Sequence, residues 1–153
     1  MDPYDPSSVR KVWERVRLCH EQLLSTMIAE EIQSRDFFRR LAAQRSPLRQ
    51  SFLSIAATEE QHRLQLDELY RKSFGAEPTP EVLPPLRYGS LPKALQARKE
   101  KALANTQNYQ KASAHFSAYR ELFLTLSQEE EALARRLQGL QEGQHKSPVS
   151  YKR

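Results

Sequence analysis

Glu59 and His62 stand three residues apart in the stretch "FLSIAATEEQHRLQLDELY", residues 52–70. Around them Phe52, Ile55, Leu66 and Leu69 recur at the steps of three and four that mark a helix face bound for a core. The stripe runs through Glu59 and His62, so one helix can bring a carboxylate and an imidazole, a turn apart, to a single site. A bare E-x-x-H is a weak signal, because glutamate is common and the spacing arises freely. Its company makes it stronger. Three further stripes read Leu24, Met27, Glu31, Ser34, Phe38, Leu41, then Leu95, Arg98, Ala102, Asn105, Tyr109, Ala112, then Tyr119, Phe123, Leu126, Glu130, Leu133, Leu137, Leu140. Glu31 and Glu130 thus sit mid-stripe as Glu59 does, each flanked by apolar positions.

Carboxylates at one depth of a core are costly. A buried ionised group is penalised by several kcal/mol (about that order) unless it is paired or bound to a cation. A cation neutralises Glu31, Glu59 and Glu130, or protonation does, or some of them face water. If a cation is the answer, oxygen-rich ligands with one imidazole suit iron or manganese better than a thiolate-preferring metal.

The elements that must position these residues are helices. The chain has 153 residues and only 4 Gly, and Leu, Ala, Glu, Gln, Arg and Lys dominate. This is long enough for one domain with a substantial core. A mean hydropathy of -0.74 implies amphipathic helices with wide solvated faces. From Ser7 to Arg45 there is no Gly or Pro, and Ser7 or Ser8 is a candidate N-cap. "QRSPLRQ" turns the chain, with Ser46 as N-cap and Pro47 at the first helical position of a second helix that Gly75 and Pro78 end. Residues 75–92, with five prolines, read as an extended connector. A third helix is expected from about Pro92 to Ser113. A fourth follows from Ser117 to Gly139 or Gly143, and 143–153 reads as a flexible tail.

A helix of this size is ~40 Å long, and the connector can reach at most ~60 Å. It can therefore travel the length of a bundle and return the chain to its starting end. The expected fold is all-α: a four-helix bundle of two hairpins, 22–74 and 92–142, joined by a long crossover over 75–91. The halves read as copies. A gapless shift of 71 residues aligns Phe38 with Tyr109, Phe52 with Phe123, Ile55 with Leu126, Glu59 with Glu130, Leu66 with Leu137 and Leu69 with Leu140.

The segments "EIQSRDFFRRLA" (31–42) and "FLSIAATEEQHRLQL" (52–66) resemble the ferritin-like superfamily, and within it the rubrerythrin-type proteins. The similarity spans roughly 22–142. It rests on a first-helix Glu followed seven residues later by an aromatic, and on the E-x-x-H of the second helix. The resemblance implies two metals, usually iron, held by a Glu from helices one and three and an E-x-x-H from helices two and four. It also implies peroxide or dioxygen reduction, or iron oxidation and storage. Glu31 matches the first-helix Glu, Glu59 and His62 the first E-x-x-H, and Glu130 the Glu of the second. Two positions depart from the pattern, Ala102 for the third-helix Glu and Leu133 for the second His. Taking Glu129 instead of Glu130 puts Ala132 at the His position, so no shift of register restores it. The implied metal set is Glu31, Glu59, His62 and Glu130, a partial site for iron, with manganese as the alternative. Arg98, a turn from Ala102, could pair with the carboxylates without any metal. The alternative function is a ferritin-like scaffold or interaction protein that has lost the di-metal site. Rubrerythrins often carry a Cys-x-x-Cys electron donor. None is present, so any redox cycle would draw on another protein.

Other residues carry less. Cys19, the single cysteine, excludes an intramolecular disulfide and a cysteine-based metal site. His20 is ~16 Å along the axis from Glu31, and His115 and His145 have no partner at ligand spacing. Tyr109 and Phe38 read as core, although a tyrosine beside iron could carry electrons. The charge of +5 is dispersed and reads as a solvated surface, which makes nucleic acid an unlikely partner. No apolar run is long enough to span a membrane, and "MDPYDPSS" lacks the marks of a signal peptide, so a cytoplasmic protein is expected. Residues 1–21 extend the first helix beyond the expected bundle. Val9, Trp13, Val16 and Leu23 keep its phase, the extension must protrude or bend back, and a homodimer contact is its expected use.

Overall fold

The computed structural model describes residues 6–44 and 46–146. They hold four α-helices and no strand: α1 Pro6–Gln44, α2 Arg49–Phe74, α3 Leu91–His115 and α4 Arg120–Lys146. α1 packs on α2 and α3 on α4. The fold is therefore all-α, with four helices in two closely packed pairs, as expected of a four-helix bundle. The chain divides into two compact units, with the boundary between Leu86 and Arg87.

Each hairpin turns through a short 3-10 helix, Ser46–Leu48 in the first and Ser117–Tyr119 in the second. This corrects the expected start of α2. Pro47 lies in the 3-10 turn, and α2 begins at Arg49 with no side-chain cap. Gly75 ends α2 as the glycine rule requires, at φ 65° with its N–H on the Arg71 carbonyl at 2.8 Å. α3 starts two residues after Gly89, where the Ser90 hydroxyl accepts from the Lys93 N–H and Pro92 occupies the first turn. α4 continues through Gly139 and Gly143 to Lys146, and 147–153 lie outside the described residues.

The two hairpins match at their turns. His115 ends α3 71 residues after Gln44 ends α1. The second 3-10 turn and the first residue of α4 follow their counterparts by the same 71. The ring pairs repeat too. Phe38 lies against Phe52 with centroids 6.1 Å apart, and Tyr109 against Phe123 at 6.2 Å.

In the first unit, α2 ends beside the Arg17–Glu21 level of α1. The Arg17 guanidinium lies 6.0 Å from the Phe74 ring centroid, and the Tyr70 hydroxyl reaches Glu21 at 3.5 Å. α1 is one unbroken helix of 39 residues, so its first turns protrude rather than bend back. The connector then runs along α1. Arg71 holds Glu77, Gln33 Nε2 donates to the Pro84 carbonyl at 2.7 Å, and Arg40 Nη2 donates to the Leu86 carbonyl at 3.0 Å. From the Arg17 level to Arg40 is ~35 Å of helix, a span that twelve extended residues cover. Prolines suit this path because they cannot donate to a helix and hold φ in the extended range.

Candidate metal centre

The α1 stripe buries Leu24, Met27, Glu31, Ser34, Phe38 and Leu41. The α2 stripe buries Phe52, Ile55, Glu59, His62, Leu66 and Leu69. Glu59 is 1% exposed, His62 0% and Glu31 2%. Glu130, on α4 in the second unit, is 1% exposed between Leu126, Leu133 and Leu137. Within the first unit Glu31, Glu59 and His62 each offer one ligand atom, and these atoms all lie within 4.8 Å of one another.

The inner pair of the first hairpin is His62 Nδ1 and Glu31 Oε2, 3.6 Å apart. That is too long for a good hydrogen bond, but it suits two ligands of one ion. With metal–ligand distances of about 2.1 Å, neighbouring ligands stand ~3–3.6 Å apart and opposite ones ~4.2 Å. The 4.8 Å bound exceeds that limit by at most about 0.6 Å, which a carboxylate rotation can close.

The relative height of Glu31 and the Glu59–His62 pair depends on how α1 and α2 register. One ion pair beside the same level, backed by two more within α2, links the helices in that register. Arg35, one turn after Glu31, donates to Glu60, the neighbour of Glu59. Arg63, the neighbour of His62, donates to Glu60 and to Asp67. Partial burial alone would push the Glu60 carboxyl up, but hydrogen bonds from Arg63 and Arg35 outweigh it and hold the group below its usual range. Asp67 goes the other way, because burial pushes it up despite Arg63 and Arg71.

The positions that depart from the duplicated pattern are also buried. Ala102 and Leu133, at 2% and 9% exposure, stand 71 residues after Glu31 and His62. Arg98, on the α3 stripe, is buried as well. Its Nε has no hydrogen-bond partner among the described residues. Tyr109 is core, stacked on Phe123. His20 is half-buried and His115 exposed, and neither belongs to the metal-competent group. The His145 side chain lies outside the described ones, and Cys19 is exposed.

The stripes missed three polar or aromatic features. Asp67 is buried, and its i,i+4 spacing from Arg63 was the available signal. Ser127 is buried and ties α4 to α3 by donating to the Thr106 carbonyl at 3.0 Å. Phe37 is buried beside Phe38 and packs edge-on to it at 5.4 Å. Among the described residues no helix is long and apolar enough to cross a membrane. Comparison of the chain with models of known protein families, with curated proteins and with solved structures finds no match.

Proposed function

We propose that this chain is a ferritin-like, rubrerythrin-type protein with a partial metal centre, in which Glu31, Glu59, His62 and Glu130 hold one iron or manganese ion. The observation that carries the reading is the convergence of two carboxylates and one imidazole of the first hairpin, all buried, within 4.8 Å; Glu130, buried mid-stripe on α4, is the fourth donor of the proposal. The donor set fits such an ion. It is mostly hard oxygen with one nitrogen and no thiolate, as iron and manganese prefer. Bound there, the ion would supply redox chemistry toward peroxide or dioxygen, or serve in iron handling.

The chain's own contributions are to bind and to exclude water. Glu59 and His62 bind from one helix, and Glu31 from the neighbouring helix whose register Arg35 and Glu60 fix. Phe38, Ile55 and Leu66 close the hairpin around that level. With a single cysteine the chain holds no dithiol to carry electrons, so reducing equivalents would come from another protein.

The second reading, a scaffold without metal chemistry, draws on Ala102 and Leu133, which replace two of the six ligands the resemblance implies. Elemental analysis separates the two. Untagged protein expressed with iron or manganese is expected to retain about one ion per chain, and Glu59→Ala or His62→Ala is expected to reduce it to background. Metal at background in the unsubstituted protein would leave the scaffold reading standing.

A further inference from the structure

The first turns of α1 stand clear of the hairpin and present an apolar seam to solvent. Val9, Trp13 and Val16 follow at steps of four and three, with Trp13 68% exposed and Val9 42%. The spacing is that of a two-helix seam, one residue wide at each level. Val12 broadens one side of it. The other side is lined by Arg10 and Arg17, each directly following a seam valine; Arg17, where the seam meets the hairpin, also lies over the Phe74 ring, a contact that leaves its N–H groups for a carboxylate. Lys11 and Arg15 lie further round, and between Pro6 and His20 the only acid is Glu14.

The charge decides among occupants. Antiparallel pairing of two copies sets the Arg10–Arg17 flank of one against the same flank of the other. Parallel pairing presses both guanidinium groups against Val12 and Cys19 of the other copy with no anion to meet them. Like charges beside a seam select against self-pairing, and opposite charges select a partner. A lipid surface would call for a broad apolar band, whereas this face is narrow and Leu18 points to the opposite side, 62% exposed. Exposed tryptophan and arginine side by side are also the residue types that dominate protein interfaces.

We propose that residues 6–20 of α1 form a docking helix for an acidic amphipathic helix of another protein. The partner lays apolar residues on Val9, Trp13 and Val16 and its carboxylates on Arg10 and Arg17. The site is distinct from the buried carboxylate–histidine group, and the proposal does not depend on metal.

The chain's single tryptophan makes the test direct. The probe is a synthetic peptide of residues 6–27 carrying Arg10→Glu, Arg17→Glu and Trp13→Phe, mixed with the full-length protein. The control peptide carries Trp13→Phe alone. The reversed peptide is expected to shift the Trp13 emission to the blue and to bind at least about tenfold tighter than the control. That binding should weaken as salt rises. In a second arm with fluorescein-labelled peptide, Trp13→Ala in the full-length protein is expected to weaken it about tenfold; the position is exposed, so folding is preserved. Equal binding of the two peptides overturns the proposal. So does a Trp13-dependent dimer of the protein alone in sedimentation, which would make a second copy the occupant. A blue shift with phosphatidylserine vesicles and none with either peptide overturns it in favour of a lipid surface.

Discussion

Glu59→Leu is the sharpest perturbation of the buried group, because it removes a charge while nearly keeping the volume. Glu59 is 1% exposed in a stripe between Ile55 and His62. Without metal, its carboxylate has lost most of its hydration; replacing a whole buried ion pair by packed apolar groups is often neutral or stabilising, and replacing this one member, with Glu31 still facing His62, is expected to be close to neutral. With metal the substitution becomes costly. An ion present at about one hundred times its dissociation constant adds about 2.7 kcal/mol to the native state. For a chain of this size each kcal/mol moves the midpoint by roughly 2–4 °C, so metal should raise the wild-type Tm by about 5–11 °C. The variant, having lost a ligand, should gain little. Thermal unfolding followed by circular dichroism, once in chelator and once in excess Mn(II), gives four midpoints. The variant should lie close to the wild type in chelator and fall below it in Mn(II). A metal-induced rise of the same size in both proteins would refute the reasoning, as would a variant several kcal/mol weaker in chelator.

The remaining predictions concern what holds the group in place. Glu60 has its folded-state carboxyl below the ordinary 4.5, so its contribution is complete above that value and is lost as pH falls through the lowered one. Urea unfolding of Glu60→Gln at neutral and acid pH should show a smaller acid loss than the wild type. Phe52→Ala removes a fully buried ring packed on Phe38 and should cost about 3–5 kcal/mol in the same urea assay. Gly75→Ala meets no atom within 4 Å at a φ of +65°, so its cost is backbone strain alone, about 1–2 kcal/mol, read as a lower urea midpoint.

Much of this was legible in the sequence because bundle helices bury rows at steps of three and four. Those rows place Glu31, Glu59, His62 and Glu130 inside, and all four are buried. The gapless shift of 71 residues is visible in a handful of Leu and Phe positions, and the helix boundaries at the two turns follow it. What a single row could not show is the width of the buried band. Ile28 and Phe37 lie beside the α1 row and are also buried, and Ala29 is buried on the far face, the side from which Gln33 and Arg40 hold the connector. Nor could it show Asp67, an acid carried inward on the stem of an i,i+4 pair with Arg63. In the other direction, Asn105 and Leu140 lie on their rows yet are only partly covered. The 3-10 turns escaped because Ser-Pro is equally good grammar for the start of an α-helix.

Because the two hairpins correspond residue for residue at a shift of 71 through their turns, the chain carries an internal control for its own mutagenesis. Position 98 shows that an arginine is accommodated where position 27 has methionine, and position 102 shows alanine where position 31 has glutamate. Side chains exchanged between sites 71 apart would move between matched helical settings. Their effects would then report on chemistry rather than on disturbed scaffolding.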